Sequence, residues 1–210
     1  EGLSKTLEIE GPLLRIEVYD NSHISGSDPV GAMIVAGPEG FNKSAYRKFN
    51  IKGKKIAPGD DYSMMRQIMK RRFQRALNED PERKTKNWPD LLLLDGGLGQ
   101  LNAVKKVLED MMLTDIPIVA ISKGAERNSG REKIHMKNKQ PLLLQPNDPI
   151  LYFLQRLRDE AHRFAIGTHR MKRKKSPEKV SSTGRGRAYF SSVIDRTCAA
   201  IWGSPFRPHR

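Results

Sequence analysis

A mixed α/β domain followed by a basic tail is what this sequence predicts, on three observations. Short runs rich in β-forming residues recur along the chain, stripes of apolar residues at helical spacing separate the later ones, and positive charge concentrates after Arg170. Residues 15–19 alternate as a strand, 30–36 form an apolar run, and 45–51 alternate again. Gly26, Asp28 and Pro29 break the first pair, and residues 37–40 break the second, so three consecutive antiparallel strands are expected. Asp60 or Asp61 then caps a helix whose stripe is Tyr62, Met65, Met69, Phe73 and Ala76, with Arg66, Lys70, Arg71, Arg72 and Arg75 largely on the other faces. Residues 91–94 are continuously apolar, as in a strand covered on both sides. A glycine turn follows, then a helix with Leu101, Val104, Leu108 and Met111 inward. Residues 116–121 repeat the buried-strand pattern, and 133–136 with 141–144 make a small hairpin. Asp148 caps and Pro149 opens a last helix with Ile150, Leu154, Leu157, Ala161 and Phe164 on one face. The order of three strands, helix, strand, helix, strand, helix is that of a ribonuclease H-like fold, a mixed sheet of about five strands flanked by helices. Residues 1–14 read as a linker remnant, 15–170 as the domain, and 171–210 as a disordered tail.

Composition narrows the class. The 210 residues carry a formal charge of +14, and Lys and Arg in such excess favour a polyanion, because binding releases counterions condensed on phosphates. Nucleic acid is the first candidate and an anionic membrane surface the second. The longest apolar runs fall far short of the roughly 20 residues needed to span a bilayer. One cysteine, Cys198, excludes an intramolecular disulfide and a multi-cysteine metal site, which fits a cytoplasmic location. The chain opens on Glu1 rather than Met, as a piece of a longer protein would.

The chemistry rests on few residues. Asp20 ends the first strand and Asp95 ends the buried strand, so on neighbouring strands both carboxylates leave the same end of the sheet. Two such charges about 4 Å apart repel by roughly 4 kcal/mol at an effective dielectric of 20, so a close pair needs a cation or a shared proton, and a divalent metal is the simplest resolution. Hard Mg²⁺ or Mn²⁺ suits oxygen ligands, and so held it activates water and stabilises charge on a phosphate. An Asp after a strand also serves as a turn or cap residue. Gly96, Gly97 and Gly99 lack the Lys and Ser/Thr of a nucleotide-binding loop. On the last helix, His162 is a hydrogen-bond partner of Asp159, a metal ligand, or the group that orients the attacking water; His23 and His169 are given surface or supporting roles, and His135 and His209 none.

Four strings bring these residues together: Asp20-Asn21-Ser22-His23, Asp60-Asp61-Tyr62-Ser63-Met64-Met65-Arg66, Asp95-Gly96-Gly97-Leu98-Gly99-Gln100-Leu101-Asn102-Ala103, and Gln155 to Ala165 with Arg158-Asp159-Glu160-Ala161-His162 at its centre. In this order they resemble the endonuclease half of the bacterial UvrC excinuclease family. The resemblance implies a ribonuclease H-like nuclease with a metal site at Asp20, Asp95 and His162, and an incision on the 5′ side of a lesion in double-stranded DNA, in an excinuclease complex loaded by UvrA and UvrB. An acidic residue of the second string, Asp60 or Asp61, is also implicated, with helix capping as its alternative. Lys123 is expected to neutralise a phosphate or orient a carboxylate. Arg47, Lys48, Arg71, Arg72 and the run Lys172, Arg173, Lys174 and Lys175 are expected to follow the duplex backbone without reading sequence. The N-terminal nuclease domain, the segment contacting UvrB, and the helix-hairpin-helix pair of that family have no counterpart in these residues. The competing readings are a DNA-binding module of the same fold that does not cut, and an RNA-cleaving relative.

Overall fold

Burial of the apolar runs on both sides explains the architecture of the computed structural model, which describes residues 2–22, 30–51, 60–123 and 132–175, with side chains to Gly167. The strands are β1 (Ile16–Ser22), β2 (Val30–Gly37), β3 (Gly40–Phe41), β4 (Arg47–Asn50), β5 (Leu91–Asp95), β6 (Ile118–Ser122), β7 (Lys133–Met136) and β8 (Leu142–Leu143). They form one eight-stranded sheet, ordered β3-β2-β1-β5-β6-β7-β8, with β4 also on β2. The helices are α1 (Gly2–Leu7), α2 (Asp61–Glu79), α3 (Leu98–Asp110) and α4 (Pro149–Lys175).

The three expected antiparallel strands are present, and β1 then pairs parallel with β5, and β5 with β6. Alternation along β1 divides the core. Tyr19 packs with Met65, Met69 and Phe73 of α2 and with Leu101 and Val104 of α3, whereas Ile16 and Val18 pack with Leu154, Leu157 and Ala161 of α4. The sheet therefore has α2 and α3 on one face and α4 on the other. Asp60 caps α2 by accepting a 2.9 Å hydrogen bond from the Ser63 N–H, and Asp148 accepts at 2.7 Å from the Ile150 N–H at the start of α4.

Several expectations need correcting. The sheet has eight strands rather than about five. Gly40, at φ +94°, turns the chain tightly enough for β3 to pair back on β2, and a 3-10 turn at Lys43–Ala45 delays β4 to Arg47. The segment 1–14, a linker remnant by sequence, is part of the domain: Leu3, Leu7 and Leu13 are each at most 3% exposed and belong to the core beside α4. Tyr62 leaves the α2 stripe: it is exposed, and its ring lies over Gly99, where a Cβ would come within 2.5 Å of the phenol oxygen. Met64 and Ile68 fill the stripe with Met65 and Met69. Helix α4 continues past 170, so Lys172, Arg173, Lys174 and Lys175 occupy its last turns and not an irregular tail. The tail beyond them, 176–210, lies outside the described residues.

One buried charge cluster also shapes this face. Glu17 is fully buried on β1 and accepts from Arg15 at 3.0 Å, from Arg72 at 2.7 Å and from the Tyr19 hydroxyl at 2.7 Å. Burial pushes the Tyr19 phenol well above its ordinary range, with the Glu17 carboxylate adding to it.

Candidate metal centre

Sheet register brings the carboxylates together. Tyr19 is aligned with Leu94 across the parallel β1–β5 pair, so the next residue on each strand is Asp20 and Asp95, at the carboxyl end of the sheet. That edge is where open α/β sheets commonly bind ligands. Helix α4 crosses the same face and delivers His162, whose Nδ1 lies 3.0 Å from Oδ2 of Asp20. One ligand atom from each of Asp20, Asp95 and His162 lies within 4.8 Å of the others, a group able to hold a metal ion. Asp159, the other partner considered for His162, is set against Arg158 at 4.0 Å.

The electrostatics fit a cation. Asp20 is 5% exposed, and burial raises its carboxyl above the usual range, opposed by the hydrogen bond from His162. Burial and then the charge of Asp20 push Asp95 up to about 6, with Arg158, His162 and Lys123 pulling the other way. Both carboxylates are thus held where ionisation is unfavourable without a positive partner. The donor set of two carboxylates and an imidazole suits a divalent ion of the first row or Mg²⁺.

A stability signature follows. In the metal-free chain Asp95 keeps its proton up to about pH 6, whereas the unfolded chain loses it near pH 4. Between those values the folded state binds the extra proton, so this group makes stability fall as pH rises. Denaturant midpoints of wild type and Asp95→Asn, measured with chelator from pH 4 to 7, should diverge in favour of the variant up to about pH 6. Parallel curves would contradict the shift.

Other expected residues fall into place unevenly. Asp60 is committed to its cap, and the bonds from Ser63 hold its carboxyl below the usual range. Asp61 raises the Asp20 carboxyl by its charge, and its carbonyl accepts from Asn21 Nδ2 at 3.1 Å, tying the start of α2 to the end of β1. Lys123 is exposed just past β6, and its charge acts on Asp95. His23 lies outside the described residues, as do the side chains of His169, Lys172, Arg173, Lys174 and Lys175.

The basic residues on the α2 side do not share one environment. A cleft of about 350 Å³ between β4 and α2 is lined by Arg15, Arg47, Lys48, Arg71, Arg72 and Arg75. Arg47 and Arg71 are exposed and donate to backbone carbonyls of Ser44, Tyr46 and Asn50. Lys48 Nζ sits 4.3 Å over the Phe164 ring, and Ala32 is aligned with Lys48 on one side and Asp20 on the other. At strand spacing, that puts Lys48 about 10 Å from Asp20. Arg72 differs from expectation: its side chain is 13% exposed and bonded to Glu17 and to the Asn87 carbonyl, which makes it a core counter-ion.

Sequence reasoning missed two buried charges behind Asp95. Arg158 is 9% exposed with Nε 3.9 Å from Asp95 Oδ1, and Glu132 is 2% exposed with Oε1 3.6 Å from Arg158 Nη2. The one available signal was helical spacing, since Arg158 precedes His162 by four residues and so shares its face.

Residues 4–166 match the profile of the UvrC RNAse H endonuclease domain. The UvrABC system protein C of Rhodospirillum rubrum is 58% identical over 176 residues, covering 84% of this chain and 28% of that protein. That of Jannaschia sp. is 53% identical over 203 residues, covering 92% of this chain and 32% of that protein. The chain thus spans about a third or less of the length of these curated relatives. Among solved structures, Ciona intestinalis endonuclease V in complex with DNA is similar at TM-score 0.38 and 14% identity, over 80% of this chain and 59% of that one. With the profile covering most of its length, the chain belongs to the UvrC RNase H endonuclease domain family.

Proposed function

We propose that this chain is a divalent-metal-dependent DNA endonuclease module that makes the 5′ incision beside a lesion in nucleotide excision repair, together with UvrA and UvrB. The observation that carries this reading is the convergence of Asp20, Asp95 and His162 within 4.8 Å at the carboxyl edge of the sheet. Mg²⁺ or Mn²⁺ held there would supply Lewis acidity to a phosphodiester and its attacking water. Asp20 and Asp95 are the ligands. His162 completes the set and keeps Asp20 oriented through the 3.0 Å contact. Asp61 adds negative charge on the α2 side, and Lys123 offers a positive charge to the strand being cut.

Arg47, Lys48 and Arg71 are assigned to the phosphate backbone, and Arg72 to the core. Each of Arg47→Gln and Arg71→Gln should lower the slope of log affinity against log salt by about 1 without moving the melting temperature. Arg72→Gln should lower the melting temperature instead. Fluorescence anisotropy with a labelled duplex at several salt concentrations and a thermal melt check both. An Arg72→Gln chain that melts like wild type would refute its structural assignment.

The functional test uses an end-labelled duplex carrying one lesion and already nicked on its 3′ side, with UvrA and UvrB present. A nick on the 5′ side that needs Mg²⁺ or Mn²⁺ and disappears with chelator is expected. Salt-sensitive binding with no metal-dependent nick would leave a DNA-binding module that does not cut.

A further inference from the structure

Arg158 and Glu132 lie behind the metal carboxylates and take no part in the function just described. Arg158 shares a face of α4 with His162, so the helix sets one basic side chain against each of the two carboxylates, His162 against Asp20 and Arg158 against Asp95. The two contacts differ in kind. His162 is at hydrogen-bond distance, while Arg158 Nε stops 3.9 Å from Asp95 Oδ1, about 1 Å beyond a charge-assisted bond. Its Nη1 is buried and has no hydrogen-bond partner among the described residues. A guanidinium so buried normally closes on a carboxylate. Glu132 is the other buried carboxylate beside it: its Oε1 lies 3.6 Å from Arg158 Nη2 and accepts at 2.9 Å from Nε2 of Gln155, on the same helix as Arg158.

We infer that Glu132 restrains Arg158 from occupying Asp95, so that the Asp95 oxygens stay available to a divalent cation; Arg158 is a positioning residue that balances the buried carboxylates, and Glu132 its latch. The inference rests on the metal reading proposed above. Neutralising Glu132 leaves Arg158 between two carboxylates, Asp95 Oδ1 at 3.9 Å from Nε and Asp159 Oδ1 at 4.0 Å from Nη2; Asp95 is the more buried of the two and the less screened by water, and closing on it would put a guanidinium where the cation binds. The sign of the effect separates this from a simple orienting role. If Arg158 were needed to hold Asp95 in place, its removal would weaken metal binding; as a restrained competitor, its removal leaves binding as tight or tighter.

The test is Mn²⁺ affinity of the 210-residue chain, read by electron paramagnetic resonance of free Mn²⁺ without DNA, on wild type, Glu132→Gln, Arg158→Gln and the double variant. Gln at 132 keeps the acceptor that Gln155 uses, and circular dichroism checks each fold. Glu132→Gln should bind about 10- to 100-fold more weakly, as losses of supporting groups around metal ligands do. Arg158→Gln should bind no more weakly than wild type, and the double variant should recover to within about threefold of it, showing that the sites are coupled. Wild-type affinity in Glu132→Gln, or a double variant as weak as Glu132→Gln, would overturn the latch while leaving the metal centre standing. Weakened binding in Arg158→Gln alone would overturn it too, even if Glu132→Gln failed to fold. A wild-type chain that takes up no Mn²⁺ would instead remove the metal reading, and the latch with it.

Discussion

Asp95→Asn should lower metal-dependent nicking at least about a thousandfold and leave the melting temperature of the metal-free chain unchanged or higher. The loss follows from removing one of the two carboxylates offered to the cation, whose contribution to a hydrolytic transition state is several kcal/mol, at about 1.36 kcal/mol per factor of ten. The retained stability follows from the same site. Asp95 has a side chain only 23% exposed, and burial and the neighbouring Asp20 push its carboxyl up to about 6, so near neutral pH the folded chain carries an unfavourable charge that Asn does not have. Residues kept against the interest of stability mark function. Single-turnover nicking and a thermal melt on the same preparation check both halves. A variant that still nicks but melts earlier would make Asp95 an ordinary turn residue.

Glu17→Ala should cost about 3–5 kcal/mol of unfolding free energy, much of the roughly 5–15 available to a domain of this size. Glu17 is fully buried near the start of β1, and Arg72, Arg15 and the Tyr19 hydroxyl all converge on its two oxygens. Truncation leaves the Arg72 guanidinium, itself 13% exposed, without its carboxylate, and the fully buried Tyr19 hydroxyl without its acceptor. Glu17→Gln keeps an acceptor and should lose less. Urea unfolding measures the difference; a loss under about 1 kcal/mol, the scale of a surface pair, would show that water reaches the cluster.

Much of this architecture is legible in the residues. The run 91–94 admits little but a strand covered on both faces, and the stripe of Leu154, Leu157 and Ala161 fixes which side of α4 meets the sheet. Asp95 ends β5, and Asp20 follows the residue of β1 aligned with Leu94 although β1 runs two residues further, so their approach needs only that the strands be neighbours, which they are. What was not legible depends on long-range partners. Helix α1 is six residues long, too short to stand alone, and exists because Leu3 and Leu7 dock beside α4. Arg72 has the spacing of a solvated arginine, and only Glu17, 55 residues earlier, draws it into the core. Tyr62 fits the helical stripe by spacing but sits exposed in the first turn of α2, where Gly99 gives its ring a place to lie. Arg158 carried only the four-residue spacing to His162 as a sign, and Glu132 none, because their pairing joins α4 to the residue just before β7.

The central claim is that Asp20, Asp95 and His162 together hold one divalent cation, and anomalous diffraction from crystals of the chain soaked in Mn²⁺ tests it most directly. A peak about 2.0–2.3 Å from carboxylate oxygens of both aspartates and from a ring nitrogen of His162 is expected. Full occupancy elsewhere with none between these three side chains would contradict the account.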